Sequence, residues 1–182
     1  RMEGLQPMVL PLAAACAILP PLFPSAHVLP HADSVGFKLH FMAAMLAYSL
    51  FTLSALHAVF MGFAERKLHQ RSLTKSLTSL PPLMTMEALL FRMIIVGFIL
   101  LTAALGSGVL FSEALFGKAM ALDHKTVFAF ISWGIFAALL AGRHAYGWRG
   151  RTALRWTMAG FLVLLMAYVG SRFVVEVLLN RL

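Results

Sequence analysis

The residues of this chain that could do chemistry are few, and they stand inside or at the edges of long apolar runs, where an ionisable side chain is costly and marks a functional position. His40 opens an uncharged run that extends from Lys38 to Glu65, and His57 lies further along it. On a helix the two are about 25 Å apart along the axis and on different faces, so they cannot share one metal ion or one face of one ligand. Neutral imidazole is a common metal ligand. His40, at the start of the apolar helix, is the stronger candidate for that role, whereas His57 reads as a packed histidine.

A second group, Asp123-His124-Lys125-Thr126, precedes another apolar run. It reads equally as a helix cap with an interfacial charge pair and as an edge facing an anion or a cofactor. Tyr168, Arg172 and Glu176 follow one another at intervals of four and share a helix face. Arg172–Glu176 is readable as an interfacial salt bridge, but an arginine about one turn inside a membrane edge prefers a partner within the bundle. His27, His31, His69 and His144 read as solvated loop residues. The single cysteine, Cys16, permits no disulfide within the chain and no paired-cysteine metal or redox site. There is no nucleotide-binding glycine loop, nucleophile elbow or metalloprotease helix motif. Ser107, in Gly-Ser-Gly, reads as small-residue packing. The sequence therefore weighs against an enzyme.

The elements that must position these residues follow from composition. Of 182 residues, 60 % are hydrophobic and only 12 % charged, about half the charge of a soluble domain. Charge-free runs at Lys38–Glu65, Arg92–Glu113, Lys125–Arg143 and Arg155–Arg172 approach or exceed the ~20 residues of a spanning helix. A fifth run, Leu5–Val28, contains five prolines and predicts a short or kinked helix ending near Ile18–Pro21. Backbone groups in lipid must bond within the segment, so these runs are helices. The expected fold is all-α, a polytopic transmembrane bundle with about five membrane helices. It forms a single transmembrane domain over residues 1–182, with further helices expected ahead of Arg1. Helix α-ends are expected near Met86, with Thr85 as its cap, and near His124, with Asp123 as its cap. Gly106 and Gly108 are expected to loosen the end of the helix that carries them, and Gly147-Trp148-Arg149-Gly150 to form a tight turn with Trp148 at headgroup depth.

The formal net charge of +8 would raise the question of nucleic acid in a soluble protein. Here the cations sit between apolar runs, which is what membrane topology produces, and no nucleic-acid partner is expected. Arg66, Lys67, Arg71, Lys75, Arg92, Arg143, Arg149, Arg151 and Arg155 make nine of the 15 basic residues and fall on one side if every run spans once. The positive-inside rule assigns that side to the cytoplasm. His40, His124, Lys125, Arg172 and Glu176 then converge on the outer rim.

Several segments together resemble the CcsA/CcmC/CcmF cytochrome c assembly superfamily, and within it the YpjD/HemX-like branch of bacterial inner-membrane proteins. They are Leu39-His40-Phe41 with Leu46-Ala47-Tyr48; Leu80 to Glu87; Leu122 to Thr126 running on to Ser132-Trp133; Tyr146 to Arg151; and Ala167 to Arg172. The resemblance covers almost the whole chain and implies a multi-pass protein of the bacterial inner (plasma) membrane that handles haem on the outer side. It matches His40 to the first of two histidines that flank a tryptophan-rich haem-presenting segment, and residues 117–133 to that segment. Of its pattern only Asp123, Lys125 and Trp133 are present; Phe116 and Leu122 stand in place of indoles, and the chain ends before a second flanking histidine. The implied ligand set is heme b with His40 on the iron, His124 as reserve ligand, and Lys125 and Arg172 for the carboxylates. The expected partners are the lipid bilayer, haem and another membrane protein. A different class of function remains open beside this one: a non-catalytic scaffold or regulatory subunit of a transporter or other membrane complex.

Overall fold

The structure is a computed structural model that describes residues 34–69, 83–116 and 124–173, together with the single position Ala14. It holds four helices: α1 (Val35–His69), α2 (Leu83–Phe116), α3 (His124–Tyr146) and α4 (Arg151–Phe173). The all-helical class agrees with the sequence. The fifth helix expected in Leu5–Val28 lies outside the described residues, apart from Ala14, which is helical. Three segments, Val35–Arg66, Met84–Val109 and His124–Tyr146, are long and apolar enough to cross a membrane on their own. Helix α4 matches α3 in length at 23 residues.

Each helix starts and stops for a local reason. Ser34 caps α1, its Oγ accepting the Phe37 N–H at 3.2 Å. Helix α2 begins at Leu83, three residues before the expected start at Met86, because nothing after Pro82 stops the backbone from turning. Thr85 therefore lies in its first turn and is not its cap. Helix α2 runs on through Gly106 and Gly108 to Phe116, since backbone in an apolar zone has no better partner than the helix itself. Helix α3 starts at His124 as expected; its proposed cap, Asp123, lies outside the described residues.

The α3–α4 turn forms as the sequence implies. Gly147 takes φ +66° and its N–H bonds the Arg143 carbonyl at 3.1 Å, a left-handed helix cap that suits a residue without Cβ. The Trp148 N–H adds a bond to the Gly142 carbonyl at 3.3 Å. Gly150 then caps α4 by accepting the Leu154 N–H at 3.1 Å.

The four helices run up and down in turn, each packed against its neighbours in sequence, with α4 closing the ring on α1. Its centre is a diagonal contact. Phe51 of α1 stacks on Phe136 of α3 with ring centroids 4.0 Å apart and planes 17° from parallel. Glycines on the other two helices make room. A Cβ on Gly97 of α2 would stand 3.2 Å from the Phe51 ring, and one on Gly160 of α4 would stand 2.8 Å from the Phe136 ring. Lipid tails are as apolar as the side chains, so a membrane bundle is held by close packing and internal hydrogen bonds more than by exclusion of water. Accordingly, the buried Ser132 hydroxyl donates to the Gly160 carbonyl at 2.9 Å, across α3 and α4. Ser49, Thr52, Ser54, Thr102 and Thr157 donate to carbonyls one turn back on their own helices.

Candidate functional site

The antiparallel order collects the start of α1, the end of α2, the start of α3 and the end of α4 at one end of the bundle. This end carries the sequence-predicted site residues. His40 is half-buried, and its Nδ1 lies 2.9 Å from Ser107 Oγ on α2. The Ser107 hydroxyl already donates to the Ala104 carbonyl at 3.1 Å. Its oxygen is thus left to accept, which assigns the proton of the His40 ring to Nδ1 and the free lone pair to Nε2. Nε2 has no hydrogen-bond partner among the described residues. The positions one turn away on its own face are Gly36, Phe37, Ala43 and Ala44, with Phe37 stacked on Phe41, and across the interface a Cβ on Gly108 would stand 3.4 Å from His40 Cε1.

His124 and Lys125 stand exposed in the first turn of α3 at the same end. No described contact joins them to His40. Arg172 lies in the last turn of α4, so its backbone reaches this rim, but its side chain, like those of Tyr168 and Ser171, falls outside the described residues, as does Glu176 altogether. His27 and His31 also fall outside. Among the described residues no group of three or more His, Cys, Asp or Glu side chains is placed to hold a metal ion.

The opposite end holds the cations and is stitched by ion pairs. Glu87 of α2 lies 3.3 Å from Arg143 of α3 and 3.5 Å from Arg149 in the turn. Arg143 also lays its guanidinium 3.5 Å from the centre of the Phe91 ring. Glu65 of α1 meets Arg151 of α4 at 2.9 Å. One pair thus links α2 to α3 and the other links α1 to α4. The aromatics Tyr146, Trp148 and Trp156 stack in succession beside the turn, with centroids 6.3 and 5.1 Å apart. Trp148, expected at headgroup depth, stands in the middle of this aromatic cluster.

His57 is packed, as the sequence implied. It is 2 % exposed, and Nε2 lies 2.9 Å from the Met86 carbonyl, so Nε2–H donates there. Its Nδ1 is buried without a partner among the described residues.

Sequence reasoning missed two participants. Ser107 reads locally as a packing residue, and only the antiparallel register of α1 on α2 reveals it as the partner of His40. Glu87 reads as a helix-dipole partner, yet it bridges two arginines that lie far along the chain.

Comparison with known proteins places this geometry in a family. The chain is 28% identical over 175 residues to the inner membrane protein YpjD of Escherichia coli, covering 94% of this chain and 65% of that protein. It is 31% identical over 185 residues to the cytochrome c biogenesis protein CcsA of Prochlorococcus marinus, covering 91% of this chain and 60% of that protein. An uncharacterised 28.8 kDa protein of Azospirillum brasilense is 31% identical over 181 residues, 97% of this chain and 66% of its own length. The chain thus spans about two thirds or less of the curated relatives it matches. No solved structure matches it. Residues 4–179 match the family described as cytochrome C assembly protein, and the chain belongs to that family of membrane proteins.

Proposed function

We propose that this protein handles haem at the outer face of the bacterial inner membrane, where His40 would hold the iron. The observation that carries the reading is the His40–Ser107 pair. A hydrogen bond on Nδ1 fixes the ring and leaves Nε2 unprotonated and free, which is the state an imidazole needs to bind iron. His124, at the start of α3, is the reserve ligand. Lys125 and Arg172 are the cations at this rim suited to the propionate carboxylates. When bound, haem would supply the iron centre that assembly proteins deliver to apocytochromes. The protein's own groups bind it, hold the ring nitrogen in one tautomer and keep the propionates at the water boundary. Membership of the cytochrome c assembly family and the similarity to CcsA support the reading.

The test is the visible spectrum of the purified full chain and of His40→Ala and His124→Ala. A Soret band in the parent that is lost in His40→Ala, with helix content unchanged, is the expected result. Equal haem content in all three proteins would remove both residues as ligands. A colourless parent would move the assignment to a membrane scaffold or regulatory subunit built on the same fold.

A further inference from the structure

At the cation-bearing end, α1 and α4 part to leave a lateral groove of about 510 Å³. Its floor is lined by small and apolar residues, among them Ala58, Gly62 and Ala159, and its mouth by Arg66 and Arg155. Over the lining residues the groove is about 12 Å long at the helical rise. The two arginines differ from their neighbours. Glu65 is engaged by Arg151, and Glu87 by Arg143 and Arg149. These are the two carboxylates described at this end, so Arg66 and Arg155 have no described acidic partner. Both are exposed. They stand at the depth of the Trp148–Trp156 belt, where headgroups lie.

We propose that this groove binds an anionic phospholipid of the cytoplasmic leaflet. Its phosphate sits between Arg66 and Arg155, and one acyl chain lies over Gly62 and Ala159 between α1 and α4. Charge complementarity selects this occupant. An apolar trough that opens sideways to the bilayer takes a hydrocarbon chain, and two unpaired guanidiniums at headgroup depth take a phosphate with bidentate geometry. Basic pockets between membrane helices on the cytoplasmic side are the setting in which such lipids are held. The site is remote from His40 and independent of haem.

The full chain, purified in detergent, is exchanged into phosphatidylcholine with or without phosphatidylglycerol, and retained lipid is counted by native mass spectrometry. The expected result is selective retention of phosphatidylglycerol, with apparent affinity lowered about tenfold or more in Arg66→Gln/Arg155→Gln. Arg92→Gln/Arg149→Gln, which removes the same charge from the same end but outside the groove, should retain it. Ala159→Phe fills the groove from an outward-facing position and should lose the lipid with both arginines intact, which keeps the test decisive if the double variant does not fold. Equal retention of both lipids, equal loss in the Arg92 control, or displacement by inorganic phosphate alone would overturn the proposal. So would efficient cross-linking of Ala159→Cys to the Leu5–Val28 segment, which would make that segment the occupant.

Discussion

Ser107 Oγ stands 2.9 Å from His40 Nδ1 and joins the start of α1 to the far part of α2, two residues far apart in the chain. Because the hydroxyl proton is already given to Ala104, the bond orients the imidazole and does not merely satisfy it. Partners of this kind commonly set metal affinity by 10–100-fold when removed. Ser107→Ala should therefore keep the helix content and lower haem affinity about tenfold, while Ser107→Thr, which retains a hydroxyl, should largely restore it. Haem titration followed by the Soret band separates the two. Identical affinity in Ser107→Ala and the parent would show that the contact is structural only.

The centre of the bundle makes a separate prediction, about stability. Gly160 faces the Phe136 ring so closely that a Cβ would stand at 2.8 Å, and the ring is fully buried between Phe51 and α4. Phe136 cannot swing away without breaking the stack. Gly160→Ala should destabilise the bundle by about 1–3 kcal/mol, the ordinary range for overpacking. Phe136→Leu should recover part of that loss in the Gly160→Ala background. Gly134, whose added Cβ would meet nothing within 4 Å, is the control, and Gly134→Ala should be close to neutral. Denaturation of the detergent-solubilised protein measures all three.

Much of this architecture was legible in the sequence, and the reason is the bilayer. Charges are excluded from a spanning helix, so gaps such as Lys38–Glu65 and Lys125–Arg143 mark α1 and α3 directly. Glycine signals were legible where geometry demanded them, as at Gly147 with its positive φ. At Gly106 and Gly108 the helix continues to Phe116, in a medium that offers the backbone no competing hydrogen bonds. The start of α2 was placed late because a threonine looks like a cap, whereas the helix begins directly at Leu83, after two prolines. What the sequence could not show is pairing across helices. Ser107 with His40, Glu87 with Arg143, and Gly160 with Phe136 depend on register between segments, and no local pattern encodes that.

The two paired carboxylates at the cationic end should differ in worth. Arg151 is well exposed, so its bond to Glu65 is screened, and Glu65→Gln should cost under about 1 kcal/mol. Glu87 is 13 % exposed and answers two arginines, one of them lying on the Phe91 ring. Glu87→Gln would leave the half-buried Arg143 without its counter-charge and should cost about 1–3 kcal/mol. Unfolding midpoints of the two variants, compared at low and high salt, check the order. A larger loss for Glu65→Gln would reverse it.

Topology is the prediction on which the outer site depends. Arg66, Lys67, Arg92, Arg143, Arg149, Arg151 and Arg155 lie at or beside the end that holds the α3–α4 turn, and the positive-inside rule places that end in the cytoplasm. Cysteines introduced at Lys75 and at Gly117 should therefore label from opposite sides of the membrane with an impermeant thiol reagent, in a background where Cys16 is replaced by Ala. Labelling of both from one side would break the up-and-down order, and labelling of Lys75→Cys from outside would invert it and carry His40 to the cytoplasm.

Arg172 completes the argument about the rim. It lies in the last turn of α4, at the end of the bundle that also holds His40, His124 and Lys125. A guanidinium facing hydrocarbon without a partner is costly, and the usual resolution is to turn inward toward a carboxylate or a bound anion. The expected direction is toward α1 and α3, with Glu176 or a haem propionate as partner. A spin label at Arg172→Cys should then be poorly accessible to oxygen, which concentrates in lipid, whereas one at Met166, an exposed position on the same helix, should be readily accessible. If haem propionates are the partner, adding haem should lower the accessibility at Arg172→Cys further, and Arg172→Gln should weaken haem binding while leaving the Soret maximum in place, because the iron ligand is unchanged. High oxygen accessibility at Arg172→Cys would point the side chain into lipid and remove Arg172 from the site.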